Sequence, residues 1–395
     1  MKKIKRTPSG GYGQDWAAYN AAQINEQKYF LHILYELCKE IIEPLQTIGR
    51  TSHSMRDMVL CLVYKVYSTF SARRFVGALH QAQALGLISA VPSPNSISEY
   101  MRGESVTTIL KDLLTKSSLP VAGREQAFAA DSTGLRLPHR RKWFNRHENQ
   151  QEMRRDYMKL HVMIGVSTNI ITCAETSAGT EHDCNYLKCL VKGTARYFDI
   201  SEVSADAAYL SGENLHVVLL AGGVPYIAFK KNCALDADYK SEFWKDLLYL
   251  HKTRNPVFMD HYFLRNNVEA TFRSIKAKFG GWVRSKTVCG QFNEALCKAL
   301  CHNICVLIQS TYELGIDPTS WASIKPRPES EAGLTGAGLK HREKDLASIR
   351  VAASPRKKQA AQETSNADHK PKKALLKCKK GETKQTSLFE TEVNA

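Results

Sequence analysis

No run of apolar residues in this sequence approaches the roughly 18 that a membrane-spanning helix needs. The densest stretch, Met58 to Tyr64, stops at Lys65. The basic start, Met1-Lys2-Lys3-Ile4-Lys5-Arg6, is followed by no apolar signal-peptide core. A soluble, cytoplasmic chain with no membrane partner is therefore expected. The 11 cysteines are odd in number and irregularly spaced, which excludes a disulfide framework and points to reduced thiols. No internal repeat is visible, so a repeat array is excluded. Acids are scarce: 39 Asp and Glu stand against 55 Lys and Arg, a formal net charge of +16. A soluble chain this basic is expected to meet a polyanion, because each neutralised phosphate releases condensed counterions.

What is present suffices for a core. At 395 residues and 43% hydrophobic, the chain is too long and too apolar to be wholly disordered. Up to about residue 120 it reads as helical. Apolar positions recur at helical spacing across Gln14 to Ile42 and Met55 to Tyr67. Ser71 reads as the cap of a helix running to Leu85, and a turn at Pro92 to Ser96 precedes a helical piece over Ile97 to Leu114. The region 1–120 fits a helical bundle or a DNA-binding helical module equally well. After Pro120 the texture changes. Gln126 to Asp131 reads as a short buried strand. Leu160 to Val166 and Ile170 to Glu175 read as a hairpin turning at Ser167-Thr168-Asn169. Then come a helix over Asp183 to Tyr197, a strand ending at Asp206, a helix over Glu213 to Ala221 and a strand over Val224 to Phe229. Helices over Phe243 to His251, Tyr262 to Phe279 and Gln291 to Gln309 complete a domain of 121–315. The expected fold class is α/β, a mixed sheet with flanking helices, preceded by an all-α region. From 316 to 395 large apolar residues thin out and basic ones accumulate, so this segment is expected to be a disordered basic tail.

The residues able to do chemistry are three acids. Asp131 and Asp206 each fall at the end of a predicted strand, where ligand crevices of open α/β sheets lie. On the predicted helix from Tyr262, helical spacing sets Tyr262, Arg265, Glu269 and Lys276 on one face beside an apolar stripe of Val268, Phe272, Ile275 and Phe279. Periodicity alone is satisfied by an ordinary surface face of charge pairs, and each aspartate alone by a turn or helix cap. Three acids at one sheet rim are different. They repel unless cations join them, and hard divalent ions take carboxylate and phosphate oxygens. A pair of such ions about 3.5–4 Å apart supports in-line phosphoryl transfer. The basic segment after Asp131, with Arg140, Arg141, Lys142 and Trp143, together with Arg265, Arg273, Lys276, Lys278, Arg284 and Lys286, would grip the nucleic acid. Trp143 would either stack on a base or anchor in the core.

The spacing Tyr262-x2-Arg265-x3-Glu269-x6-Lys276 resembles the Tyr-Arg-Glu-Lys signature of insertion-sequence DDE transposases. Asp131-Ser132-Thr133-Gly134 resembles their first acidic motif and Ala205-Asp206-Ala207-Ala208-Tyr209 their second. Gln291-x2-Glu294-x2-Cys297-Lys298 resembles the helix that follows the signature. The resemblance implies an RNase H-like catalytic domain in which Asp131, Asp206 and Glu269 are catalytic and hold two Mg²⁺ or Mn²⁺ ions. It implies that Tyr262, Arg265 and Lys276 contact the element's end near the cleaved phosphate. The gap from Asp206 to Glu269 is too short for the large β insertion that some members carry, which suggests a compact member. The activity implied is cutting and joining of element ends by a prokaryotic, nucleoid-associated enzyme. Its partners would be inverted-repeat and target DNA and a second copy in a synaptic dimer. The competing readings are a structure-selective nuclease or resolvase and a domesticated DNA-binding protein that does not cut.

Other signals weigh less. Cys297, Cys301 and Cys305 form a ladder on one helix face, which cannot close a tetrahedral zinc site and reads as core. His182-Asp183 reads as the start of a helix. In the tail, Gln385-Thr386-Ser387-Leu388-Phe389 resembles the short Gln-x-x-Leu-Phe peptide that docks on the bacterial sliding clamp, with Gln385, Leu388 and Phe389 as contacts. A plain basic DNA tether is the alternative.

Overall fold

The computed structural model describes residues 15–44, 53–138, 156–233 and 242–328. Five helices come first. α1 (Trp16–Lys39) starts at Asp15, whose Oδ1 accepts from the Ala18 N–H at 3.0 Å. It buries Phe30, Ile33, Leu34 and Leu37 of the stripe expected from spacing, while Tyr29 of that stripe is exposed. α2 (Met55–Ser68) is capped by Ser54 and buries every residue from Met58 to Tyr64, so this apolar run is a central core helix. α3 spans Ala72–Ala84. The helix expected over Ile97 to Leu114 is instead two, α4 (Pro94–Met101) and α5 (Glu104–Ser118), parted at Arg102-Gly103.

The sheet follows. β1 (Ala127–Arg136), β2 (Tyr157–Gly165) and β3 (Ile171–Ala178) are consecutive antiparallel strands. β4 (Glu202–Ala205) lies parallel to β1 on its other side, and β5 (Val224–Ile227) parallel to β4. The order is β3-β2-β1-β4-β5. Helices α6 (Leu187–Ala195) and α7 (Gly212–Leu220) occupy the connections into β4 and β5, as parallel neighbours require. The fold is thus α/β, a mixed five-stranded sheet with flanking helices behind an all-helical N-terminal region. At the β2–β3 turn, buried Glu125 accepts from the N–H groups of Ser167 and Thr168 and from the Thr168 hydroxyl. A Cβ on Gly165 would stand 2.3 Å from the Glu125 Cδ, so only glycine fits under that carboxylate.

Four helices close the fold: α8 (Glu242–Lys252), α9 (Pro256–Tyr262), α10 (Asn266–Phe279) and α11 (Val288–Leu314). α11 is the spine. It packs on α1, α2 and α5 on one side and on β3 on the other. Several of its buried polar side chains bond to backbone groups. Asn293 donates to the carbonyls of Met101 and Gly103, and Asn303 to that of Ile171 while accepting from the Ile171 N–H. Cys297 and Cys301 are fully buried, the core role expected of the ladder. No described helix is long and apolar enough to cross a membrane.

Candidate active site at the rim of the sheet

Two strands bring the aspartates together. Ala130 of β1 pairs with Ala205 of β4. Asp131 and Asp206 are the next residue on each, so they are neighbours across adjacent parallel strands. Asp131 is not at a strand end, as the sequence suggested. It is the fifth of the ten residues of β1, because antiparallel β2 carries β1 on to Arg136. Relative to β4 alone it sits where the parallel pairing stops. Asp206 also caps the turn after β4, its Oδ1 accepting from the Ala208 N–H at 2.8 Å.

The third acid arrives from α10. The single helix expected from Tyr262 is broken: α9 ends at Tyr262, Phe263–Arg265 form a 3-10 turn, and α10 begins at Asn266. The apolar stripe of Val268, Phe272, Ile275 and Phe279 is buried as expected. The break brings Arg265 over the sheet. Its Nη1 lies 3.3 Å from Asp131 Oδ2 and its Nη2 3.0 Å from Glu269 Oε1, so one guanidinium spans two of the three acids. Arg265 is four-fifths buried, and its Nε has no hydrogen-bond partner among the described residues. The Tyr262 ring lies under the guanidinium at 5.9 Å. α9 is held in place where His261 pairs with Glu202 of β4 and stacks on Tyr226 of β5.

The electrostatics reflect this crowding. Burial pushes the Asp131 carboxyl up to about 6, and the charges of Asp206 and Glu269 push the same way. The Ser132 N–H and Arg265 pull against them. Lys276 sits near Arg136, and burial together with that second cation depresses its pKa. The contact exists because the loop after α10 adds to the end of β1: the Arg136 N–H donates to Gly281 and the Val283 N–H to Arg136. Arg273 is exposed on α10.

Behind Asp131, on the opposite face of β1, lies a group that sequence reasoning missed. The Ser132 hydroxyl donates to Asp183 Oδ2 at 3.1 Å, and Lys159 Nζ to Asp183 Oδ1 at 2.8 Å. Buried His161 bonds Ser177 through Nε2 and stacks on Tyr186. Burial drives its pKa down to about 4, so its 3.8 Å approach to Asp183 is no ion pair at neutral pH. Asp183 does begin a helical turn, as its sequence neighbourhood indicated. Nothing in that local pattern points to Ser132, which is 51 residues away in the chain.

The site could hold cations of another kind. Asp131 and Asp206 on neighbouring strands, with Glu269 joined to Asp131 through Arg265, form a negative field that a divalent ion would relieve. In the structure the Arg265 guanidinium balances two of these three charges. Among the described residues no three His, Cys, Asp or Glu groups stand close enough to hold a metal ion. Arg140, Arg141, Lys142 and Trp143 lie outside the described residues, as do Gln385, Leu388 and Phe389 of the tail peptide.

Residues 122–304 match the family model of the transposase DDE domain. The matched span contains Asp131, Asp206 and Glu269 together with Tyr262, Arg265 and Lys276. The match supports a DDE transposase. Searches of curated proteins and of solved structures returned no match.

Proposed function

We propose, from the match of residues 122–304 to the family model of the transposase DDE domain, that this chain cuts and joins the ends of a mobile DNA element. The observation that carries the reading is the bridging of Asp131 and Glu269 by Arg265, with Asp206 in register beside Asp131. Strand order β3-β2-β1-β4-β5, antiparallel then parallel, supports an RNase H-like core. Spacing and placement together support the Tyr-Arg-Glu-Lys reading of Tyr262, Arg265, Glu269 and Lys276.

Asp131, Asp206 and Glu269 would hold two divalent cations, Mg²⁺ or Mn²⁺, once Arg265 turns from the carboxylates toward a DNA phosphate. Such ions supply Lewis-acid polarisation of phosphoryl oxygens and easier deprotonation of water. The chain's own part is positional and electrostatic. Water attacks the phosphorus at the element's end and the P–O3′ bond breaks; the freed 3′-hydroxyl then attacks a target phosphorus in line, and the target's own P–O3′ bond breaks, its 3′-oxygen leaving as a hydroxyl. Arg265 has an Nε–H with no partner among the described residues, which it would donate to a phosphate oxygen once the side chain turns. Lys276 and Arg136 face the same phosphate with fixed positive charge, and Arg273 meets the flanking backbone. Charge held in place before the reaction is what phosphoryl transfer rewards. Two ends must be handled together, so the working form is a dimer bound to both.

The test is Mg²⁺-dependent cleavage of a duplex carrying the element's end. Asp131→Asn, Asp206→Asn and Glu269→Gln should each abolish cleavage and leave DNA binding intact. Ordinary cleavage by any one of them removes that residue from the site. Cutting without strand joining would favour a nuclease, and binding without any cutting a domesticated DNA-binding protein.

A further inference from the structure

We infer that a groove between the N-terminal helices and the loop after α10 binds the phosphate backbone of double-stranded DNA, as a second contact separate from the three acids. The groove has a volume of about 760 Å³. Its walls are the α2–α3 turn, α4 and residues 284–287. Five cations line it, Lys65, Arg74, Arg102, Arg284 and Lys286, and no acidic residue does. A depression with cations on every wall focuses positive potential, which concentrates a polyanion. Phe70, 40% exposed on the same wall, carries Arg74 over its ring at 5.2 Å. An exposed aromatic among cations offers a sugar or base a stacking surface. Ser71 and Ala72 at the start of α3 also line the groove, and Ser71 makes no side-chain cap bond.

The groove is built and not incidental. Arg284 Nη1 donates to the Phe70 carbonyl at 2.8 Å, tying the loop to the α2–α3 turn. Glu294 of α11 accepts from the N–H groups of Arg284 and Ser285 and from the Ser285 hydroxyl, which fixes the loop from beneath. That carboxylate is buried and turned to backbone, so it does not cancel the groove's charge. Of the five, only Arg102 has a carboxylate partner on the exposed side among the described residues, Glu99 at 3.1 Å, and both of these side chains are half-exposed or more. Such a pair is weak and yields readily to phosphate. The same loop runs back through Val283 to the end of β1 and so to Arg136 and Lys276. A duplex held in the groove would therefore be held by the segment that borders the acids.

DNA as the occupant rests on the transposase reading; the cationic groove does not. The experiment measures binding of the full chain to a labelled random-sequence duplex, without divalent ions, across a salt series. The variants are Arg74→Gln/Arg102→Gln/Lys286→Gln and, as a control elsewhere on the surface, Lys28→Gln/Lys192→Gln/Arg196→Gln. Each lost phosphate contact lowers the magnitude of the log K against log salt slope by about 0.9. The groove variant should lose roughly 2 to 3 from the slope and bind about tenfold or more weakly near 0.1 M salt, while the control keeps both. Lys286→Glu alone, at an exposed loop position, repeats the test should the triple variant fold poorly, and should weaken binding likewise. Unchanged slope and affinity in the groove variants, or an equal loss in the control, overturns the groove. If the wild-type chain binds no duplex, the transposase reading falls first and the groove with it. If wild type binds and the groove variants match it, the groove alone falls.

Discussion

Single side chains decide most of the chemistry here. Arg265 is the least replaceable, because a planar fork reaches Asp131 and Glu269 at once while a lysine ammonium is one point. Arg265→Lys should keep the charge, leave duplex affinity within a few-fold of wild type, and slow end cleavage by roughly 10²-fold, as removal of one preorganised donor does elsewhere. Single-turnover cleavage rates check this; a rate near wild type would mean that charge alone is enough. His302 illustrates a buried group away from the acids. Its Nε2–H donates to the Asn169 carbonyl at 3.0 Å, and burial holds its pKa down at about 4. The unfolded chain binds that proton near pH 6.5 and the folded chain only near pH 4, so stability falls as pH drops through this window. The contribution is on the order of 3 kcal/mol, present above pH 6.5 and gone below 4. His302→Gln can keep the donor without the titration. Urea unfolding from pH 7 to pH 4 should show a shallower loss for it than for wild type.

At the scale of elements, α11 holds the site's frame. Lys298 is buried and donates to the carbonyls of Phe279, Gly280 and Trp282, at the end of α10 and just beyond it. Burial lowers its pKa to about 8. One charged side chain thus satisfies three carbonyls at and just past the helix end. Lys298→Met keeps the length and removes the donors, and should cost about 3 kcal/mol in urea unfolding, because the carbonyls are left without partners. A cost under about 1 kcal/mol would mean that the loop re-pairs. The sequence showed where these elements would be and what they would carry. The stripe of α10, the Ser167–Asn169 turn and the three consecutive strands were legible because each depends on neighbours close in the chain. Three features were not. The break at Phe263–Arg265 leaves no trace in hydrophobic spacing, since the apolar positions run on through it. The extension of β1 past Asp131 is imposed by pairing with β2, and the Ser132–Asp183 bond joins segments far apart in sequence. Such features are set by tertiary packing, which propensity does not see.

Across the whole molecule, the change from helices to strands near residue 120 is a change of element type and not a gap in packing. The buried apolar side chains form one cluster from Ala22 to Trp321, and α11 packs against α1, α2 and α5 as well as β3. Asn303 alone joins three parts, accepting from the Ile171 N–H and donating to the Ile171 carbonyl and the Ser117 hydroxyl. Lys278 of α10 pairs with Glu26 of α1, so α10 is itself fastened to the N-terminal region. Removing α1 to α5 would strip one side of α11 and expose Leu300, Cys301, Ile304 and Leu307, all fully buried. The expected outcome is a single cooperative unfolding transition for the full chain, seen at the same urea concentration by far-UV circular dichroism and tryptophan fluorescence. A fragment beginning near residue 120 should be expanded and bind a hydrophobic dye, although it contains Asp131, Asp206 and Glu269. Two separated transitions, or a compact fragment with the slow amide exchange of a packed core, would show that the sheet and its helices stand without the N-terminal region.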